Sequence, residues 1–537
     1  MRNDLKALQD KAEELSAAQD WSGAADCYCR IIERDSGNSD ALLQLSYLAS
    51  FGGHYRVARD YALRASATHP SQPAQIVELL SRLRTFNEAG EIHECIDRLP
   101  NLRNMLIPLL IAVAAQLSYL NQQEKALRLL DEAKRGDPNY PPTLVARGQV
   151  LIYMGRFDEA YADLHHCVER APALAQAWWL LSRLSRDQER PHRILQIQRL
   201  LTLPGRTADT TALLGYALHN ELDALGAHDG AWNALAMACA AKRSLLNYKV
   251  ANMQELTDAL IAMRLPQGMV AHDETDAAAS RCPIFVVGMH RSGTTLLEQL
   301  LDRHHDIRGL GELYDFTHQM RWAADHHCRG VTDATIICAA EHADFAKIGS
   351  GYLQGIEWRL GKERFFIDKL PSNFLNIGFI CTALPQARIL HMRRDPLETC
   401  FSNLRELFSD ACPYSYDQSE LADYYLQYDR LMAHWHRAFP GRILDVDYAQ
   451  LVQTPEVTLR NILSFAGLDF HSELLNPAQE SRGIATASAV QVRSELALPR
   501  QPKWHPYRRQ LEPLIRGLGH ASDPAVGQVA DANQGAL

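Results

Sequence analysis

Positive charge is in short supply. The 55 Lys and Arg residues face 64 Asp and Glu, a formal net charge of −9 at pH 7, which argues against a nucleic-acid binder while leaving room for a local basic pocket. Cysteine lacks a pattern: the eleven copies are scattered, with Cys27-x-Cys29 the closest pair, so reduced thiols in a cytoplasmic protein are expected rather than a zinc framework or a disulfide scaffold. Long apolar runs are missing as well. The most apolar stretch, Met105–Ala115, contains Pro108 and is too short to cross a bilayer, so no membrane anchor is expected and a buried helix is. The N-terminal MRNDLKALQDKAEELSAAQ has mixed charges and no apolar core, so neither a secretory signal nor a transit peptide is expected. The histidine clusters His304-His305 and His326-His327-Cys328 have no HExxH helix and no second ligand pair at metal spacing, so no metal is expected.

Against these absences stand 537 residues, 47% of them hydrophobic and 22% charged, enough for more than one domain with sizeable cores. The first half repeats. Ala24, Ala58, Ala126 and Ala160 are separated by 34, 68 and 34 residues, and Pro70, Pro138 and Pro172 follow three of them by twelve. Ile92 stands where a fifth alanine is expected and Asn104 where a proline is, which marks a divergent unit. The pattern resembles the tetratricopeptide repeat, whose helix pairs use small residues at the crossing and a proline at the turn between units. The resemblance implies an all-α right-handed solenoid with a concave face over about residues 5–210, each pair burying its apolar side against its neighbours. Leu213–Leu225 with Gly230–Leu245 reads as a further helix pair and Val250–Arg264 as one more helix, capping an array that occupies 1–264. Residues 265–280 lose periodicity and read as a linker.

The next stretch, Pro283–Glu312, reads as strand, glycine-bounded loop, helix and second strand. Ile284–Val287 is a buried-strand run, Gly288-x4-Gly293 frames a loop, and Leu296, Leu297, Leu300 and Leu301 recur at helical spacing. A helix that begins at such a loop offers unpaired amides and the positive end of its dipole to an anion. The lysine that follows the second glycine in a nucleotide phosphate loop is Thr294 here, which disfavours an NTPase, while Arg291 still offers a charged fork. Ile307–Leu310, Arg364–Asp368, Arg388–Met392 and Arg442–Val446 are further short apolar runs separated by helical patterns. They predict an α/β domain over 281–518 with a mostly parallel sheet and ligands at the carboxyl ends of its strands. Residues 519–537 lack periodicity and read as a disordered tail.

At that sheet edge, Glu312 can take a proton from a hydroxyl and Lys369, in DKLPSN, can stabilise a developing negative charge. Arg394 and Ser402, eight residues apart, can converge across a strand end and the helix after it, whereas Arg393 and Arg405 suit structural ion pairs equally well. Tyr424, Tyr425, Tyr428 and Trp435 read as one packed helix face.

The string VGMHRSGTT with GE downstream resembles the 5′-phosphosulfate loop of sulfotransferases, in the form nearest the tyrosylprotein sulfotransferase branch, and the likeness runs from about Pro283 to Leu514. It implies 3′-phosphoadenosine 5′-phosphosulfate (PAPS) as donor, with Arg291, Ser292, Gly293, Thr294 and Thr295 at the phosphosulfate and Arg394 with Ser402 at the 3′-phosphate. It further implies Glu312 as general base, Lys369 beside the leaving oxygen, Tyr448 near adenine, and Ser488 and Lys503 in a C-terminal segment that grips the nucleotide. In that segment PRQPKW departs from the pattern, lacking the small hydroxyl residue before the basic-Trp pair. The implied acceptor is a protein or peptide tyrosine held by the solenoid groove. A carbohydrate or small-molecule hydroxyl, or an inactive nucleotide-binding domain on a repeat scaffold, are the alternatives.

Overall fold

The 34-residue period becomes pairs of helices: α1 (Arg2–Ala17) with α2 (Trp21–Arg34), α3 (Ser39–Phe51) with α4 (Tyr55–Ala67), α5 (Pro73–Thr85) with α6 (Ala89–Asp97), α7 (Ile107–Tyr119) with α8 (Gln123–Gly136), and α9 (Pro141–Met154) with α10 (Phe157–Arg170). Ala24, Ala58, Ala126 and Ala160 all lie in the second helix of a pair and are 0% exposed. Ile92, equally buried, occupies the same place in α6, so the divergent unit keeps the pair and fills its crossing with a larger side chain. The computed structural model describes residues 2–184, 187–264, 281–475 and 501–519; the expected linker and the tail beyond residue 519 lie outside the described residues. No helix among the described residues is long and apolar enough to cross a membrane.

A second register with the same period emerges from the backbone. φ is positive at Gln19, Gly53, Asn87, Asn121 and Gly155 (63°, 82°, 58°, 61° and 78°), the turn between the two helices of each pair. Glycine enters that conformation freely and asparagine tolerates it, but glutamine does not favour it. Gln19→Gly is therefore expected to raise stability by roughly 0.5–1 kcal/mol. Chemical denaturation reads this directly, and a loss of stability would mean that the glutamine side chain itself secures the turn.

Beyond the pairs follow α11 (Ala175–Ser182), α12 (Arg190–Thr202), α13 (Ala208–Ala224), α14 (His228–Arg243) and α15 (Val250–Ala262). The sheet then forms from β1 (Cys282–Gly288), β2 (Ile307–Gly309), β3 (Phe365–Asp368), β4 (Arg388–Arg393) and β5 (Ile443–Asp447), in the order β2-β3-β1-β4-β5. Every pairing is parallel. Strand β1 is central and buried throughout. On one face Ile284, Val286, Ile367 and Leu390 pack against Leu297 and Leu301 of α16 (Thr294–Leu301) and against Leu463. The chain leaves β1 toward β2 on one side and later returns past it to β4 on the other, so the loop after β1 opens at the switch point where α/β sheets bind ligands. Strand β3 lies between β1 and β2, and it is β3 that brings Lys369 beside the end of β2.

The compact units do not follow the division at 264–281. One consists of Met1–Val150 with Tyr314–Gly355, the other of Leu151–Leu313 with Ile356–Leu537. In the first, α17 (Asp315–Ala324), inserted between β2 and β3, packs on α4: Tyr55 hydrogen-bonds His318 at 2.9 Å, and Arg56 donates to the carbonyls of Trp322 and Ala323, both at 2.9 Å. In the second, α13, α14 and α15 hold the stretch formed by α18 (Pro396–Leu404), the loop after it and α19 (Gln418–Ala438). The Tyr216 hydroxyl donates to the Leu404 carbonyl at 3.0 Å, Lys242 pairs with Asp410 at 2.9 Å, Arg243 forks onto Glu420 at 2.7 and 2.8 Å, and Gln254 donates to Asp423 at 2.9 Å. The aromatic face of α19 is buried as expected, with Trp435 donating to the Phe374 carbonyl at 2.9 Å.

Candidate functional site

Two glycines shape the loop after β1 because two neighbours leave no room for a side chain. Gly288 has φ 149°, and a Cβ there would lie 2.6 Å from the Met392 carbonyl oxygen on β4; Gly293 has φ 110°, and a Cβ there would lie 2.5 Å from the Tyr448 ring. Arg291 between them is also left-handed, at φ 70°. The loop closes on itself through the Ser292 hydroxyl, which donates to the Met289 carbonyl at 2.8 Å. Ser292, Thr294 and Thr295 are buried at the start of α16, so an anion seated there would meet backbone amides and hydroxyls rather than bulk water.

At the ends of β2 and β3, Lys369 Nζ donates to Glu312 Oε1 at 2.7 Å. The lysine is 0% exposed and the glutamate 33%, so the pair presents its carboxylate to the outside. Two backbone bonds fix the place: the Lys369 amide donates to the Gly311 carbonyl at 3.0 Å, and the Gly311 amide to Glu298 of α16 at 2.7 Å. His290 adjoins the pair from the loop. Its Nδ1 is 3.1 Å from the Tyr414 hydroxyl, and burial, with Lys369 and Arg291 adding to it against the pull of Glu312, pushes its pKa down to about 4, so the ring is neutral near pH 7. His290 is not among the residues that the sequence singles out, although an imidazole inside a glycine-bounded loop is a signal for it.

On the other side of the loop, Arg394 donates to Glu398 through Nε (3.0 Å) and the neighbouring guanidinium nitrogen (2.9 Å), to the Arg291 carbonyl at 3.3 Å, and stacks 4.6 Å from the Tyr448 ring centre. Ser402 meets Arg291 rather than Arg394, accepting from its Nε at 3.3 Å, so the expected Arg394–Ser402 convergence runs through Arg291. Lys503 keeps an exposed surface, yet lost hydration and repulsion from Arg405, Arg291 and Arg394 lower its pKa, which places its ammonium in their company. Ser488 lies outside the described residues. Arg393 pairs outward with Asp445 at 3.3 Å, and Arg405 donates to His219 at 3.0 Å and to Asp223 at 2.5 Å on α13. No local pattern announced Arg183, Glu406 or Tyr153, which also belong to this neighbourhood: Arg183 lies 3.8 Å from Glu406, and burial raises the Tyr153 phenol pKa while the charges of Arg183, Glu312 and Glu406 act on it.

Two groups with metal-ligand side chains occur among the described residues, His304 with His305 and His471, and His391 with His436 and Asp445. In the first, His304 accepts from the Asp306 amide at 3.1 Å and faces the Asp469 carbonyl at 3.0 Å; in the second, His391 and His436 share one Asp445 oxygen at 2.7 and 2.9 Å.

Residues 283–472 match the family described as Sulfotransferase family. An uncharacterized protein of Aquifex aeolicus is 24% identical over 561 aligned positions, which cover 94% of this chain and 73% of that protein. A putative protein-tyrosine sulfotransferase of Caenorhabditis briggsae is 26% identical over 194, covering 36% of this chain and 68% of the relative. Protein-tyrosine sulfotransferase 1 of Danio rerio is 23% identical over 216, covering 36% of this chain and about half, 55%, of the relative. Among solved structures, the sulfotransferase domain of the Synechococcus PCC 7002 olefin synthase aligns with TM-score 0.29 and 20% identity, covering 46% of this chain and 96% of the other.

Proposed function

From residues 283–472, a sulfotransferase-family domain, we propose an enzyme that moves a sulfuryl group from PAPS to an acceptor hydroxyl, that of a tyrosine in a protein or peptide. The observation that carries this reading is the Lys369–Glu312 pair at 2.7 Å, set at the carboxyl ends of β3 and β2 beside an anion-accepting loop. The glycine cradle and the cations around it suit a phosphorylated donor, and PAPS supplies an electrophilic sulfur bonded to a phosphate leaving group.

The residues divide the work by charge. The amides of Ser292, Gly293, Thr294 and Thr295 at the start of α16 hold the 5′-phosphosulfate, with Gly293 letting the backbone approach. Glu312 takes the acceptor proton as the acceptor oxygen bonds to sulfur, and Lys369 stabilises the charge left on the bridging phosphate oxygen as its bond to sulfur breaks. The products are the sulfated acceptor and 3′-phosphoadenosine 5′-phosphate (PAP). Arg394, Arg291 and Ser402 hold the 3′-phosphate, the Tyr448 ring lies along the adenine, and Lys503 approaches the nucleotide, with Ser488 assigned to the same role from the sequence alone. Tyrosine is favoured as acceptor by the two protein-tyrosine sulfotransferase relatives and by the carboxylate base. The stacked helix pairs offer a groove for an extended peptide. All eleven cysteines are free thiols, which suits the cytoplasmic location we propose.

Calorimetric titration with PAP and, separately, ATP tests the donor. PAP is expected to bind clearly tighter; equal binding would refute the 3′-phosphate assignment. Arg394→Ala should weaken PAP by about 1.5–3 kcal/mol, the worth of a charged hydrogen-bond partner, and unchanged affinity would remove Arg394 from the site. Turnover with tyrosine peptides and none with carbohydrates or small phenols would establish the acceptor class.

A further inference from the structure

A helix of the N-terminal half reaches the donor loop. Arg183 directly follows α11, and one of its guanidinium nitrogens lies 3.8 Å from Oε1 of Glu406, whose Oε2 lies 3.7 Å from Arg291. The side chains of Arg183, Glu406 and Arg291 are 13%, 10% and 4% exposed, so this is a largely dry relay, and it continues from Arg291 to the Ser402 hydroxyl. Glu406 cannot drift, because the stretch around it is pinned to α13 and α14. Arg405 beside it is taken by His219 and Asp223, Leu404 by Tyr216, and Asp410 by Lys242. His219 accepts the Arg405 bond as a neutral ring, its pKa pushed down to about 4 by burial and by Arg405.

The charges of Arg183, Arg394 and Arg405 act on Arg291, and those of Arg405, Arg291 and Arg394 on Lys503, with Glu406, Glu398 and Asp223 among the carboxylates that pair with the arginines. Cations gathered this closely are an arrangement that invites an anionic ligand. Glu406 lies between the two guanidiniums, 3.8 Å from Arg183 and 3.7 Å from Arg291.

We propose that Arg183 is a positioning residue of the donor site: through Glu406 it aims Arg291 at the donor phosphate, which makes α11, α13 and α14 part of the catalytic unit rather than a separable adaptor. The proposal rests on the PAPS reading above. It is tested in the full chain by PAP calorimetry and steady-state kinetics on Arg183→Ala, Arg183→Lys, Glu406→Gln and the double variant Arg183→Ala with Glu406→Gln. Arg183→Ala is expected to weaken PAP binding tenfold or more and to raise KM for PAPS in step, with a much smaller fall in kcat, and Arg183→Lys to recover most of the loss. In the Glu406→Gln background the same Arg183→Ala change should cost less than threefold, because the relay is already broken. Unchanged PAP affinity in Arg183→Ala, or the same loss in both backgrounds, would overturn the proposal. Arg183→Gln replaces Arg183→Ala in the cycle if the alanine variant does not fold. Wild-type protein that fails to bind PAP would refute the donor reading itself, whereas wild-type binding with an indifferent Arg183 refutes this inference alone.

Discussion

Glu312→Gln is expected to slow sulfuryl transfer a hundredfold or more at saturating donor and acceptor, the scale of a lost general base, while PAP affinity stays within about twofold of wild type. Glutamine is the informative replacement. Lys369 is fully buried and donates to Glu312 at 2.7 Å, so alanine would strand an ammonium without its partner and mix a folding defect into the kinetics. The glutamine carbonyl can still accept from Lys369 Nζ but takes no proton from an acceptor hydroxyl. Single-turnover rates with calorimetry on the same preparation separate the two effects. Full activity in the variant would turn attention to His290, an imidazole on which both charges of the pair act, although with its pKa pushed down to about 4 it is a weak base. Weakened PAP binding instead would mean that the Glu312–Lys369 pair shapes the donor loop.

What the sequence revealed follows from how local each feature is. The loop was legible because strand, glycine frame, arginine and helix are contiguous, and the same short string that carries the resemblance also sets the backbone. The crossing alanines were legible because a close helix pair tolerates only small volumes, and Ile92 shows how far that rule bends. The left-handed turn residues share the 34-residue period equally well, yet Gln19, Gly53, Asn87, Asn121 and Gly155 share a backbone angle rather than a side-chain class, so composition gives no hint of them.

Long-range contacts were invisible for a related reason. Arg183 and Glu406 are more than two hundred residues apart, and an arginine at the end of a helix looks like any solvent-facing charge until its partner is known. Arg405 was ambiguous from sequence because both of its partners, His219 and Asp223, lie on a helix whose own pattern speaks only of packing. The return of Tyr314–Gly355 to the repeat helices depends on Tyr55 and Arg56, two residues that interrupt no periodicity.

Gly288→Ala should be the most damaging single methyl group in the sheet domain, costing about 3 kcal/mol or more of stability, because strain and collision coincide there. Gly288 is paired in parallel register with Met392 at the ends of β1 and β4. Its φ of 149° disfavours any side chain, and the atom that a Cβ would strike at 2.6 Å is a backbone oxygen of the neighbouring strand. Backbone in the middle of a sheet cannot swing aside, so the variant must part β1 from β4 or refold the loop. Either movement displaces Arg394, two residues beyond Met392, and the effect on PAP binding should therefore exceed that of a remote core substitution of equal thermal cost. Gly293 offers the contrast: its obstacle at 2.5 Å is the edge of the Tyr448 ring, a side chain that can rotate, so Gly293→Ala should cost less stability while still closing the cradle to a phosphate. If Gly288→Ala melted like wild type and bound PAP undiminished, the loop would owe its shape to something other than the strand beside it.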